Sequence, residues 1–300
     1  MKIRGYLYGA AASVIWGTVF FLGRIVMNDK SVHPFIISFW RCLFASLFLF
    51  AILGRRAKKI PAALKSDWKR FLFISFTGAF IFNIFVFSSL RHTTATSSSI
   101  LMNANPIFIL VIASIFAGEK ITPARLLGVI LGFTGCIMVI MGTEGSPPAG
   151  NTLLKGNIMA VAGSLCWAVY TVAGKVPTQK YGSLLTTFLS FSFGTVFFFL
   201  LNSAKGFPVT AINPSAFIAG AYLGIIPAGI GFTIWYNALK YIEAGELGIL
   251  QYLTPITTAV LAVTILKESF TILVISGMSI IFFSIYISDI AKKKTPTRVF

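Results

Sequence analysis

Charge is what this chain has least of. Only 11% of its 300 residues are Asp, Glu, Lys or Arg while 56% are hydrophobic, where a water-soluble domain carries roughly 25% charge. Water is therefore not its main solvent. Histidine is scarcer still, with His33 and His92 the only two. No apolar run pairs two aspartates, so the sequence offers neither a nucleophile with its base nor a set of metal ligands, one of which an enzyme in the membrane would need. The three cysteines, Cys42, Cys136 and Cys166, fall in separate apolar runs. Such spacing excludes a disulfide framework or a metal site and leaves them as small buried side chains. No cofactor and no metal are expected.

Long apolar runs are what the chain has instead. A helix crosses the ~30 Å hydrocarbon core with about 20 residues. Ten runs of about that length occur near Tyr6–Met27, Pro34–Leu53, Phe71–Leu90, Ala95–Phe116, Ala124–Met141, Gly156–Ala173, Ser183–Leu201, Ser215–Leu239, Gly245–Leu266 and Thr271–Ser288. They are continuously apolar and too long for strands, which excludes a membrane β-barrel. The predicted fold is all-α and polytopic, with ten transmembrane helices. The opening "MKIRGYLYGAAASVIWG" has the charge pattern of a signal peptide, but its apolar run is too long and recurs mid-chain, so a retained helix is expected.

The net charge of +17 does not point to nucleic acid, because the basic residues sit between apolar runs and form no stripe on a soluble domain. They report topology. With the N-terminus inside, eighteen Lys and Arg fall on one side, seven of them between residues 54 and 70, and six on the other. The positive-inside rule then places both termini in the cytoplasm. Arg41 is the cation left within a run.

The chain repeats itself. "GYLYGAAASVIWGTVFFLGR" from Gly5 matches "GNIMAVAGSLCWAVYTVAGK" from Gly156, so that at an offset of 151 Ser13 meets Ser164, Trp16 meets Trp167 and Arg24 meets Lys175. "SSSILMNANPIFILVIASIFAGEKIT" from Ser97 matches "ELGILQYLTPITTAVLAVTILKESFT". At an offset of 149, Asn103 meets Tyr252, Asn105 meets Thr254, Pro106 meets Pro255 and Glu119 meets Glu268. Several pairings in register indicate duplication. Two units follow, residues 1–142 and 156–290, joined by an exposed linker at 143–155 containing "GSPPAGNT" and followed by a basic tail at 291–300. Five spans per unit would invert the second relative to the first. Inverted repeats are a recurring device of secondary transporters, since two similar halves can rock between inward-open and outward-open states.

"VIWGTVFFLGR", "SFWRCLFASLFLF", "ANPIFILVIASIFAGEKIT", "GSLCWAVYTVAGK" and "LTPITTAVLAVTILKESFT" resemble the two EamA repeats of the drug/metabolite transporter superfamily. The resemblance covers nearly the whole chain. It implies ten helices and export of amino acids or related small metabolites from bacteria, hence a place in the bacterial cytoplasmic (inner) membrane. Substrate varies widely within the family. An exporter of drugs or other metabolites is thus an alternative.

Particular residues carry the expected chemistry. Pro106 and Pro255 each free the carbonyl four residues earlier, on Met102 and Gln251, and in lipid that carbonyl needs a partner. Polar residues crowd there: Asn103 and Asn105 in one copy, Gln251, Tyr252 and Thr254 in the other. Two kinked helices lining a polar cavity, with Asn103 opposite Tyr252, are one reading; asparagines satisfying neighbouring helices are the bland one. Arg41 reads either as a cation for a substrate carboxylate or as a side chain snorkelling to the interface. The resemblance favours the first, because an arginine recurs at this place. Trp16 and Trp167 are equivalent mid-helix positions expected to face the cavity, and Tyr170 and Trp235 add aromatic side chains with a polar handle.

Glu119 and Glu268 read as interfacial charges starting the next helix, where an acid suits the dipole. The first run carries no acid, unlike the small multidrug antiporters of the superfamily, which argues against proton-for-cation exchange of that type. Coupling through Glu246 or His92, or uncoupled transport, stays open. The glycine pairs of "GVILG" at 128–132 and "GAYLG" at 220–224 suit close helix packing. The expected partners are a small-molecule substrate and membrane lipid. One chain suffices for a pathway, and a homodimer is compatible with it.

Overall fold

The computed structural model describes residues 2–27, 33–92, 101–143, 152–207, 214–266 and 271–290. All regular structure among the described residues is helical. The chain runs through α1 (Lys2–Met27), α2 (Pro34–Leu53), α3 (Ile60–Ile74), α4 (Phe82–His92), α5 (Asn105–Ala117), α6 (Pro123–Thr143) and α7 (Thr152–Ala173). It continues through α8 (Lys175–Tyr181), α9 (Ser183–Ala204), α10 (Pro214–Leu223), α11 (Phe232–Ala238), α12 (Ala244–Leu250), α13 (Leu253–Leu266) and α14 (Ile272–Ile290).

Local chemistry sets several of these boundaries. The His33 ring accepts a hydrogen bond from the Phe35 amide, and Pro34 opens α2, where its missing N–H costs nothing. Gly54, at φ +49°, ends α2 in a left-handed conformation that a side chain resists. The basic turn Gly54–Lys59 leads into α3, whose backbone leaves helical geometry at Asp67 (φ −132°, ψ 27°). The apolar part of the third run begins just after that bend.

Two features were not read from the sequence. A π-helical segment, Ser75–Ile81, joins α3 to α4, and a second, Gly224–Gly231, joins α10 to α11. Their first residues are 149 apart and their last 150, so they occupy corresponding places in the two copies. A π turn takes up an additional residue and so re-aims every side chain beyond it. Pro227 lies inside the second segment and is the one sequence signal for it.

The protein is an all-α polytopic membrane protein. Five stretches among the described residues are long and apolar enough to cross a membrane: Pro34–Ser89 (which includes the basic turn), Pro123–Met141, Leu154–Tyr181, Ser183–Ala204 and Phe217–Ala238. The apolar helices Asn105–Ala117 and Ile272–Ser288 are shorter. Outward faces carry exposed Ile115, Phe116, Ile130, Leu154, Phe282 and Phe283, which lipid tails accommodate as readily as protein does.

The helices pair in a pattern that respects the duplication. α1 packs on α11 and α13, while α7, which begins where the second copy of its sequence does, packs on α4 and α5. α2 lies along α9, and α6 along α14. At the last contact a Cβ on Gly135 or on Gly277 would sit 2.7 Å from the other's carbonyl oxygen, so only glycine allows the two backbones to touch. The pair at 128 and 132 is also structural: a Cβ there would meet Ser288 or the Tyr252 ring. Buried hydroxyls are returned to their own helices, Ser13 to the Gly9 carbonyl, Ser38 to Pro34 and Ser46 to Cys42. Such back-bonding satisfies polar groups where water is absent.

Candidate functional site

Aromatic side chains from α1, α7 and α11 meet in the middle of the bundle. Trp16 and Trp167 stand edge to face with ring centroids 5.0 Å apart. Trp235 lies 5.0 Å from Trp16, and Phe232 lies 5.4 Å from Trp16 and 5.1 Å from Trp167. Edge-to-face rings bring the positive edge of one to the negative face of the next. Each indole N–H has an acceptor: Trp16 donates to the Pro227 carbonyl at 3.1 Å, Trp167 to Gln251 Oε1 at 2.9 Å and Trp235 to Thr171 Oγ1 at 3.2 Å. Four of the expected site residues, Trp16, Trp167, Trp235 and Gln251, are thus brought together.

The π segments make room for this cluster. The Pro227 carbonyl that receives Trp16 belongs to the second segment, and a Cβ on Gly231 would fall 2.8 Å from Trp16 Nε1. In the first segment a Cβ on Gly78 would fall 2.0 Å from the Tyr170 ring. Glycine is required at both places by space alone. Tyr170 stacks against Tyr236 at 4.8 Å, and its carbonyl accepts from the Tyr236 hydroxyl.

Arg41 reaches the same centre from α2 and does not snorkel. It is 3% exposed. Its guanidinium donates to Asn83 Oδ1, Asn83 in turn donates to the Ala79 carbonyl at 2.8 Å, and the guanidinium carbon sits 5.7 Å from the Phe232 ring centroid. No carboxylate pairs with Arg41 among the described residues. A buried charge without a counter-charge is expensive, and in a membrane such a residue usually marks a functional site.

The two proline helices are interrupted where the sequence placed the interruption. The backbone turns at Asn103–Ala104 before α5 and at Gln251–Tyr252 between α12 and α13. Asn105 Nδ2 donates to the Met102 carbonyl at 2.8 Å, so the carbonyl that Pro106 frees is met by the adjacent amide. In the second copy the Gln251 carbonyl receives the Thr254 N–H at 2.9 Å. Thr254 and Thr258 then bond the Ser13 and Gly17 carbonyls of α1 at 3.1 and 3.0 Å. Asn103 is buried, and Met102 beside it packs with Phe82, which in turn contacts Trp167 at 5.1 Å.

Tyr252 is not part of this centre. Its hydroxyl donates to the Val129 carbonyl at 3.1 Å and its ring fills the space beside Gly132, in a separate apolar cluster with Leu110, Cys136 and Ile281. The facing of Asn103 by Tyr252 expected from the alignment is not what the side-chain contacts describe. The break in the second copy comes one residue early relative to the first, and one residue is about 100° of helical rotation.

Glu119 also departs from expectation. It is buried, at 6% exposure, and the helix start it serves is not that of the next helix but one in the other copy: it accepts from the Ala244 and Gly245 amides of α12 at 2.8 and 2.9 Å and from Lys175 Nζ at 2.9 Å. Arg125 at the start of α6 pairs with Glu243 and with Glu246, the latter at 3.2 Å. Glu246 and Glu243 form a capping box at the start of α12. Glu246 is thus engaged in a buried ionic cluster. His92, the last residue of α4, is half-buried. Glu268 lies outside the described residues.

The basic segments gather at the same end as this cluster. Lys180 pairs with Asp67 at 2.6 Å, and Gly5 of α1 abuts Tyr241 and Ile242. At the opposite end His33 stacks on Phe207 at 4.1 Å and Asn202 donates to the Phe35 carbonyl.

Comparison with known proteins places this architecture. The model of the EamA-like transporter family matches residues 3–141 and again 154–288. An uncharacterized transporter of Archaeoglobus fulgidus is 31% identical over 271 residues, which is 89% of this chain and 91% of that protein. The aromatic amino acid exporter YddG of Ancylobacter novellus is 24% identical over 262 residues, 86% of this chain and 87% of that protein. A crystal structure superposes with a TM-score of 0.80 at 20% identity, covering 97% of this chain and 99% of that one.

Proposed function

This chain belongs to the EamA-like transporter family, and from that premise we propose that it moves an amino acid or a related amphipathic metabolite out of the cytoplasm by alternating access. It is a secondary transporter of small metabolites and not an enzyme. In the proposed arrangement ten transits form two inverted units of five, residues 1–142 and 156–290, with a linker at 143–155 and a basic tail at 291–300. Both termini face the cytoplasm, and the membrane is the cell's cytoplasmic membrane. The matched helix pairings of α1 and α7, the corresponding π segments and the two interrupted helices all support it.

The observation that carries the reading is the meeting of Trp16 and Trp167, equivalent residues of the two copies, at 5.0 Å in the bundle centre. A cargo crossing between two such halves passes their contact. Trp16, Trp167, Trp235, Tyr170, Gln251 and Arg41 line the proposed site, with Asn103 and Asn105 approaching through the broken α5. Rings that present both faces and edges suit an apolar or aromatic body. The resemblance to an aromatic amino acid exporter favours the same cargo class.

The ionic cluster of Glu119, Arg125, Lys175, Glu243 and Glu246 serves in this scheme as the closure of one end, the cytoplasmic one by the distribution of basic residues. It draws on both copies, as such a closure must. Thermal unfolding of the purified protein with a panel of metabolites tests the cargo, because a ligand that binds only the folded state raises apparent stability. Stabilisation by amphipathic amino acids is expected. Stabilisation confined to other metabolite classes would overturn the assignment.

A further inference from the structure

Among the buried polar groups around Phe232, Arg41 Nε has no hydrogen-bond partner among the described residues, and the Tyr170 and Ser190 hydroxyls meet only each other and Tyr236, in geometry short of a well-formed bond. They are neighbours. The Arg41 guanidinium lies 5.7 Å and the Tyr170 ring 5.6 Å from the Phe232 centroid, and the Tyr170 hydroxyl is within hydrogen-bonding reach of Ser190. Arg41 is 3% exposed, Tyr170 and Ser190 fully buried. A donor this deep is costly to leave unbonded, and a ligand can supply the missing acceptor.

Arg41 Nε can only donate, the two hydroxyls can donate as well as accept, and the one fixed charge is positive. Asn83 is already committed, accepting from Arg41 and donating to Ala79. The acids whose side chains are described are held elsewhere: Asp67 by Lys180, Glu119 by Lys175, and Glu243 and Glu246 by Arg125. A carboxylate, by contrast, only accepts, through two oxygens. Its apolar body would then lie against Trp16, Trp167 and Phe232.

We propose that Arg41, Tyr170 and Ser190 form the subsite for a carboxylate on the cargo, so that the protein carries organic anions or zwitterions with an apolar body and rejects amines that lack the carboxylate. Asn83 acts as a positioning residue that fixes the guanidinium. This rests on the transport reading of the same centre and narrows it.

Four compounds with one phenyl body separate the possibilities: 3-phenylpropionate, phenylalanine, 3-phenylpropionamide and phenethylamine. Each is tested for thermal stabilisation of the purified full-length protein. The two carboxylates are expected to raise Tm, and the amide and the amine are not. Arg41→Gln should weaken both carboxylates about tenfold or more, the scale of losing a hydrogen bond to a charged group. Without ligand it should melt no lower than wild type, since it removes an uncompensated buried charge. Tyr170→Phe should weaken the carboxylates severalfold with the ligand-free Tm unchanged, which keeps the test open if Arg41→Gln does not fold.

Stabilisation by phenethylamine, undiminished carboxylate stabilisation in both variants, or no stabilisation by either carboxylate would each overturn the subsite. The transport reading fails separately. Vesicles containing the protein and loaded with a cell metabolite extract would then show no exchange of any labelled component.

Discussion

Lys175 Nζ lies 2.9 Å from Glu119 Oε1, joining the segment after α5 to the residue that opens α8. One residue comes from each copy of the duplicated sequence. Glu119 also closes the start of α12 through the Ala244 and Gly245 amides, so a single carboxylate holds three partners from the opposite copy at the basic end of the bundle.

Replacing Lys175 with Met leaves the Glu119 charge buried with only backbone donors. Breaking a buried pair from one side costs about 3–5 kcal/mol, and the partial exposure of Lys175, 21%, puts the expected loss at the lower end. Melting curves in detergent should show a lower Tm for Lys175→Met and partial recovery in the double variant with Glu119→Gln. Equal Tm values for wild type and Lys175→Met would mean that the pair contributes nothing to holding this end.

A methyl group at Gly78 must displace the Tyr170 ring, which would lie 2.0 Å from it. Overpacking of this kind costs about 1–3 kcal/mol. Gly78→Ala is expected to fold with reduced Tm and to lose most of its transport, because Tyr170 is moved from the centre. Full transport by the folded variant would place Tyr170 outside the path.

Tyr252→Phe separates packing from cargo contact. The lost bond to the Val129 carbonyl should cost about 1 kcal/mol of stability, while the KM for transport stays at the wild-type value. A raised KM would return Tyr252 to the site where sequence alignment first put it.

Asn105→Ala removes the donor that meets the Met102 carbonyl. An unsatisfied buried acceptor costs about 1–3 kcal/mol, so a lower Tm is expected. Asn103→Leu is expected to fold and to slow transport. Unaltered uptake kinetics for Asn103→Leu would remove that residue from the proposed site.

Much of this arrangement can be read from the residues alone. The apolar runs, the duplication, the interruptions before Pro106 and Pro255, and the equivalence of Trp16 and Trp167 follow from composition and register; the edge-to-face contact of the two indoles does not. The direction of Tyr252 did not follow, because aligned residues in broken helices share a face only when the breaks fall at the same residue. The π segments were hidden for a related reason. Ser75–Ile81 has no proline, and an inserted residue in a uniformly apolar run leaves no periodic trace. Glu119 was legible as a carboxylate at a helix start, but not at which one, because a charge at the end of one helix says nothing about which other helix begins beside it. Arg41 was legible as a cation in an apolar run, but only its neighbours show that no described carboxylate pairs with it.

The central claim is that one chain carries a small metabolite across the membrane by exposing a single central site to each side in turn. Counterflow tests it most directly. Purified protein in vesicles preloaded with excess unlabelled amino acid is given a trace of the labelled compound outside. The account predicts transient accumulation of label inside above its external concentration, abolished when Trp16 and Trp167 are both replaced by Ala. Simple equilibration without overshoot, or no entry of label for any amino acid or amphipathic metabolite, would contradict it.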